Sequence, residues 1–406
     1  MVEALAPTHV LDDSSFRSLV QAIVDGHRTI GPRLRDSSIV LAEISGPEDL
    51  ASGVGLEQAP GVCRVVDLDP ADSRRFAWAV GPHSAKAVQH PAEQILFEAT
   101  VDQSGVHVEP VPPTADDPRP VAVIGLRPCD LAAVGVLDNV LDGGRFGGVD
   151  PLVVVVNCTD PGGTCFCTSM GTGPALDADR ASGADLVLWE RTGTDPEYLV
   201  THVSERMAPT LDAVARSEAT AEDASWASQA TTDAASRMGR VLSTDGLAER
   251  LTATLDSERW DDIAQRCLSC GNCTMVCPTC FCSSVHDTAS LDGSTVARTQ
   301  RWDSCFSLDH SYIHGGSVRS GTDDRYRQWL THKLSSWWAQ FGESGCVGCG
   351  RCISWCPVGI DLVEEANLLS AEADLDPGGL QATAPGDPTS ATMSITEVLV
   401  RRRGEV

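Results

Sequence analysis

The pattern Cys267-Leu-Ser-Cys270-Gly-Asn-Cys273-Thr-Met-Val-Cys277-Pro278 is repeated as Cys346-Val-Gly-Cys349-Gly-Arg-Cys352-Ile-Ser-Trp-Cys356-Pro357, two copies of C-x₂-C-x₂-C-x₃-C-P. No other feature of the chain restricts its fold so tightly. A tight loop with this spacing brings three thiolates onto three corners of one [4Fe–4S] cubane. Gly271 and Gly350 let the backbone wrap closely around it. The fourth cysteine is expected to start a helix and point away, with Pro ending the loop. Zinc sites, the alternative for so many thiolates, usually show two separated C-x-x-C pairs.

In two-cluster proteins of this spacing the fourth cysteine of each run ligates the other cluster. Cys267, Cys270, Cys273 and Cys356 are therefore assigned to one cluster, and Cys346, Cys349, Cys352 and Cys277 to the other. The chain has sixteen cysteines in 406 residues. A secreted disulfide framework would also use many, but such frameworks belong to small chains with a secretory signal. The N-terminus carries Glu3, Asp12 and Asp13 and no basic residue before Arg17, so no signal peptide is expected and a reducing cytoplasm is.

The formal net charge of −27 argues against nucleic acid or an anionic membrane surface as a partner. The apolar run Leu152–Val156 is far shorter than the roughly 20 residues of a membrane span. No G-x-G-x-x-G follows a strand pattern, and Lys86 and Lys333, the only lysines, sit in no phosphate-binding loop. No catalytic residue is assigned. A cluster carrier without a nucleotide site of its own needs partner subunits.

The fold expected is α+β / α/β: an N-terminal α/β domain (1–205), a helical connector (206–259), a two-cluster bacterial-ferredoxin-like domain (260–371) with a long insertion, and a flexible tail (372–406). Val121–Gly125 and Leu152–Val156 read as buried strands, with a helical pattern from Leu131 to Leu141 between them. That order predicts a parallel pair with a crossover. The last apolar turn of the tail, Ile395–Val400, is either a docking segment or a frayed end.

Cys129 and Cys158 follow those two strands, where open α/β sheets gather ligands. The loop Thr159-Asp-Pro-Gly-Gly-Thr-Cys165-Phe-Cys167 can fold two more thiolates over the same point. Cys129, Cys158, Cys165 and Cys167 would then hold a third [4Fe–4S] cluster; the alternative is four small buried residues. Cys63 stands alone and is read as core.

Arg127-Pro-Cys-Asp130 and Cys165-Phe-Cys-Thr-Ser-Met-Gly-Thr-Gly-Pro174 resemble blocks of the iron–sulfur β subunits of cytoplasmic NAD(P)-linked [NiFe] hydrogenases, the sulfhydrogenases. So do Cys277-Pro-Thr-Cys-Phe-Cys282, Arg301-Trp-Asp-Ser-Cys305 and Arg325-Tyr-Arg-Gln328 with His332-Lys333. The related iron–sulfur subunit of anaerobic sulfite reductase shares these blocks. The resemblance spans about residues 80 to 370. It implies an electron-transfer role between the small and large subunits of a [NiFe] hydrogenase and a flavin/NAD(P)H-binding subunit. An equivalent subunit of a sulfite or polysulfide reductase, and a stand-alone iron–sulfur reductase using the N-terminal cluster, remain open. Asp130, Asp303, Arg319 and Lys333 lie in the matching blocks and are read as polar contacts that fix the cluster loops. Cys280, Cys282 and Cys305 are read as structural or supporting thiols.

Overall fold

The computed structural model describes residues 5–111, 119–141, 145–191 and 196–375. Its framework is an eight-stranded mixed sheet. In spatial order the strands are Ser217–Glu218, His9–Asp12, Glu197–His202, Leu186–Arg191, Leu152–Val156, Val121–Leu126, Arg28–Arg35 and Ser38–Ile44. The four from Leu186–Arg191 to Arg28–Arg35 run parallel, and antiparallel pairs flank them. Val121–Leu126 and Leu152–Val156 pair directly, with Val123 opposite Val153. The helix between them runs Pro128–Asp138 and not Leu131–Leu141. Pro128 at its first turn needs no hydrogen-bond donor there, so the helix opens three residues earlier than the apolar spacing alone indicates.

Both central strands are buried along their whole length, because alternate residues feed two cores. Ala122, Ile124, Val154 and Val156 pack with Phe16, Leu19 and Ile23 of the Asp13–Gly26 helix. Val121, Val123, Val153 and Val155 pack with Leu131 and Val134 on the other face. A sheet covered on both sides accounts for the unbroken apolar runs.

After this sheet come the helices Ala221–Ser236 and Leu247–Ala253, the latter packing on the final helix, Leu362–Leu375. The predicted tail therefore begins inside that helix, while 376–406 lie outside the described residues. The cysteine-rich half has its own core of Trp260, Ile263, Tyr326, Trp329, Leu330 and Leu362. Between the two cysteine runs, the hairpin Ser283–Ala289/Thr295–Trp302 joins Glu93–Asp102 edge to edge, with Thr295 opposite Thr100. One four-stranded sheet thus contains strands from both halves of the sequence.

Candidate iron–sulfur centres

Each cysteine run folds as a loop that closes into a single helical turn. Gly271 and Gly350 sit in the left-handed region, at φ +72° and +74°, and start the turns Asn272–Met275 and Arg351–Ser354. The third cysteine, Cys273 or Cys352, lies inside the turn, and the fourth follows its end. This corrects the expected placement of the fourth cysteine at a helix start: a three-residue spacer is consumed by the turn itself.

Cys267, Cys270, Cys273 and Cys356 line one chamber, closed by Phe306, Tyr326 and Trp329. Backbone amides already aim at its sulfurs: Ser269 N donates to Cys267 Sγ at 3.4 Å and Ile360 N to Cys356 Sγ at 3.3 Å. Tyr326 Oη and Trp329 Nε1 are buried without a hydrogen-bond partner, and buried donors of this kind normally have one. Cluster sulfides would supply it, so the residues present fit the group.

Cys346, Cys349, Cys352 and Cys277 surround a second point. Burial pushes the Cys352 thiol well up, and Cys346, Cys277 and Cys349 add to that. Gly348 N donates to Cys346 Sγ at 3.5 Å. Cys129, Cys158, Cys165 and Cys167 line a third chamber, all four buried, beneath Arg127, Pro128 and Met238. Burial drives Cys129 and Cys165 well above the ordinary thiol range. Cys167 is pushed up to about 12, by burial first and then by Cys158 and Cys349. Thiols held this way become thiolate ligands only where iron offsets the cost of desolvation.

Among the described residues, no three His, Cys, Asp or Glu side chains gather closely enough to hold a single metal ion. A cubane spreads its ligands wider, since each thiolate binds a different iron.

The three groups form a series with the second in the middle. Cys352 of the second group also lines the first chamber, and Cys349 lines the third. Close backbone packing makes this possible. A Cβ on Gly350 would stand 2.3 Å from Thr164 O, and one on Gly348 would stand 2.6 Å from Phe166 O. Phe166 N donates to Gly348 O at 2.8 Å, and Thr172 Oγ1 to Val347 O at 2.6 Å. The loop carrying Cys165 and Cys167 therefore lies directly on the loop carrying Cys346 and Cys349.

Polar residues of the matching blocks hold these loops. Arg127, almost fully buried, donates to Ala79 O at 3.1 Å and Phe76 O at 2.7 Å, and stacks over Trp78. Asp303 accepts from Ser304 N and Ser307 Oγ, each at 2.7 Å. Cys63 is half-buried on the strand Val62–Asp67, with Gln58 Nε2 at 3.9 Å, and belongs to no thiol group.

Sequence reasoning did not find how Cys280, Cys282 and Cys305 meet. They line one cavity of about 340 Å³ together with His310, Arg319 and Lys333. The neighbouring Cys305, with His310 and Lys333 close by, holds the Cys282 thiol below its ordinary range. Cys280 follows Cys277 by three residues, and Cys277 Sγ lies 3.3 Å from Thr279 Oγ1. The signal available in the sequence was the rarity of lysine: Lys333 lines this cavity, and Lys86 is buried over Trp302.

The 4Fe-4S dicluster domain family matches residues 266–360, so [4Fe–4S] clusters belong to this region. The chain is 31% identical to sulfhydrogenase 2 subunit beta of Pyrococcus furiosus over 259 residues, 60% of this chain and 72% of that one. No solved structure matches it.

Proposed function

Since the chain belongs to the family of sulfhydrogenase β subunits, we propose that it is the relay subunit of a cytoplasmic hydrogenase complex. It would carry single electrons between a flavin subunit that handles NAD(P)H and a [NiFe] hydrogenase module. The observation that carries this reading is the sharing of Cys352 and Cys349 between neighbouring chambers. Three centres in series, with a cysteine of the middle group lining each outer chamber, would let single electrons pass from one to the next. [4Fe–4S] clusters supply one-electron chemistry when bound.

The protein's own residues do the rest. Burial of the N-terminal thiol group and of Cys277 and Cys349 in the middle one limits the access of water. Amide donors at Ser269, Gly348 and Ile360 oppose the negative charge on the sulfurs they face. The first group reaches the surface: Cys270 is exposed, as are Leu268 and Val358 beside it. A redox partner would dock there. No helix among the described residues is long and apolar enough to cross a membrane, and the abundance of free thiols favours a reducing compartment.

An anaerobic pull-down of the tagged chain from its native cells tests the proposal. Nickel in the eluate with hydrogen-dependent NAD(P)⁺ reduction is the expected result. Sulfite-dependent NAD(P)H oxidation without nickel would overturn the hydrogenase assignment and leave the relay in place.

A further inference from the structure

The cavity lined by Cys280, Cys282 and Cys305 lies beside the relay and is not part of it. Three thiols, Lys333 and the unpartnered indole N–H of Trp337 line it, and Lys86 is buried nearby. Lys333 is 5% exposed, lines the cavity and donates to Thr279 Oγ1 at 2.8 Å. Lys86 is 3% exposed; its ammonium sits 3.7 Å from the Trp302 ring centroid and donates to Met275 O at 3.3 Å. Trp337, buried in the cavity wall, has an Nε1 group with no hydrogen-bond partner.

A chain that otherwise uses arginine for its positive charge places one of its two lysines in the cavity wall and buries the other over Trp302. A buried ammonium is costly unless negative charge lies close by. A disulfide between Cys282 and Cys305 would remove negative charge from beside these lysines and worsen that cost. A cubane held by three thiolates adds net negative charge, and its sulfides accept hydrogen bonds that thiols accept only weakly.

We propose that Cys280, Cys282 and Cys305 hold a further [4Fe–4S] cluster through three thiolates, and that its fourth iron faces the basic cavity and takes a small anion. Cys280 follows Cys277 of the second group by three residues, and Lys333 in the cavity wall reaches Cys277 through Thr279 Oγ1, so this centre branches from the middle of the series. Three protein thiolates leave one iron without a cysteine. His310 and Arg319 line the space in front of it, and a cavity of about 340 Å³ is of the size that small ligands occupy.

The proposal rests on the relay reading only for its source of electrons. Iron and acid-labile sulfide are counted on the full chain reconstituted anaerobically, in wild type, Cys282→Ala/Cys305→Ala and Cys63→Ala. Wild type and the Cys63 control should hold about sixteen irons per chain and the double variant about twelve. Wild type holding about twelve, or a double variant that keeps all the wild-type iron, overturns the proposal. So does a Cys282–Cys305 disulfide in the intact mass of the reconstituted protein. If the double variant fails to fold, the wild-type count decides. Azide added to the reduced protein should shift one electron paramagnetic resonance signal, absent from the double variant; an unshifted wild-type spectrum removes the open iron. Failure of the relay itself would show separately, as unchanged iron in Cys352→Ser.

Discussion

Arg351 and Asp130 form an ion pair at 2.8 Å with both side chains almost wholly buried. The contact lies off the hydrogen-bond axis, so its strength is charge held close in a dry setting. Arg351 stands between Cys349 and Cys352, and Asp130 directly follows Cys129. The pair therefore fastens the middle thiol group to the N-terminal one. Arg351 also donates to Gly81 O at 2.8 Å and His83 O at 3.0 Å.

Removing one partner leaves a buried charge uncompensated. Asp130→Ala should destabilise the protein by about 3–5 kcal/mol, read by anaerobic denaturant unfolding. Replacing both residues with apolar ones should recover much of that loss, because the pair itself contributes little beyond mutual neutralisation. A single variant as stable as wild type would contradict the burial argument.

Gly350→Ala should separate the two loops. A non-glycine residue in the left-handed region costs about 1–2 kcal/mol, and the added Cβ would meet Thr164 O at 2.3 Å. Magnetic coupling between the middle and N-terminal centres should weaken in the reduced protein. Unchanged coupling would show that the loops can part without consequence.

Cys352→Ser should lower iron by about four per chain while far-ultraviolet circular dichroism keeps the signal of the eight-stranded sheet. Because Cys352 belongs to the middle group, reduction of the N-terminal centre through the exposed Cys270 face should also slow. Reduction at the wild-type rate would mean that electrons bypass the middle group.

Cys158→Ala isolates the third chamber from the two repeated motifs. Iron should again fall by about four per chain, and the signals of the two motif clusters should persist. Iron equal to wild type would leave Cys129, Cys158, Cys165 and Cys167 as buried packing residues.

The Asp223 carboxyl is held below its ordinary value of 3.8, first by the backbone N–H of Thr220, then by that residue's hydroxyl, with Arg191 adding to both. A lowered folded-state value means the stabilisation is full above 3.8 and is lost as pH falls through the depressed value. Asp223→Asn should therefore be less stable than wild type at pH 7, and the difference should shrink in acid below 3.8. Thr220→Ala, which removes the helix cap, should cost about 1 kcal/mol. A pH-independent gap between Asp223→Asn and wild type would refute the linkage.

The motif loops were legible in the sequence because their geometry is local. Two-residue spacers and a glycine free to take positive φ bring three thiolates together within one turn, whatever the remainder of the chain does. The strands 121–126 and 152–156 were legible for a similar reason: unbroken apolar runs between turn residues leave few other placements. The helix start at Pro128 was missed because the spacing of apolar residues reports the buried face and not the first turn.

Contacts between distant segments could not be read this way. Nothing within either block states that Gly348 lies against Phe166, that Arg351 meets Asp130, or that Lys86 and Lys333 approach Cys280 from opposite ends of the chain. The sequence alone determined which cysteines sit in which loop and that iron was the metal to expect. Tertiary packing decided that the middle group adjoins all the others, because the close approach of separate loops depends on long-range strand pairing and on cores that form only when the whole chain is folded.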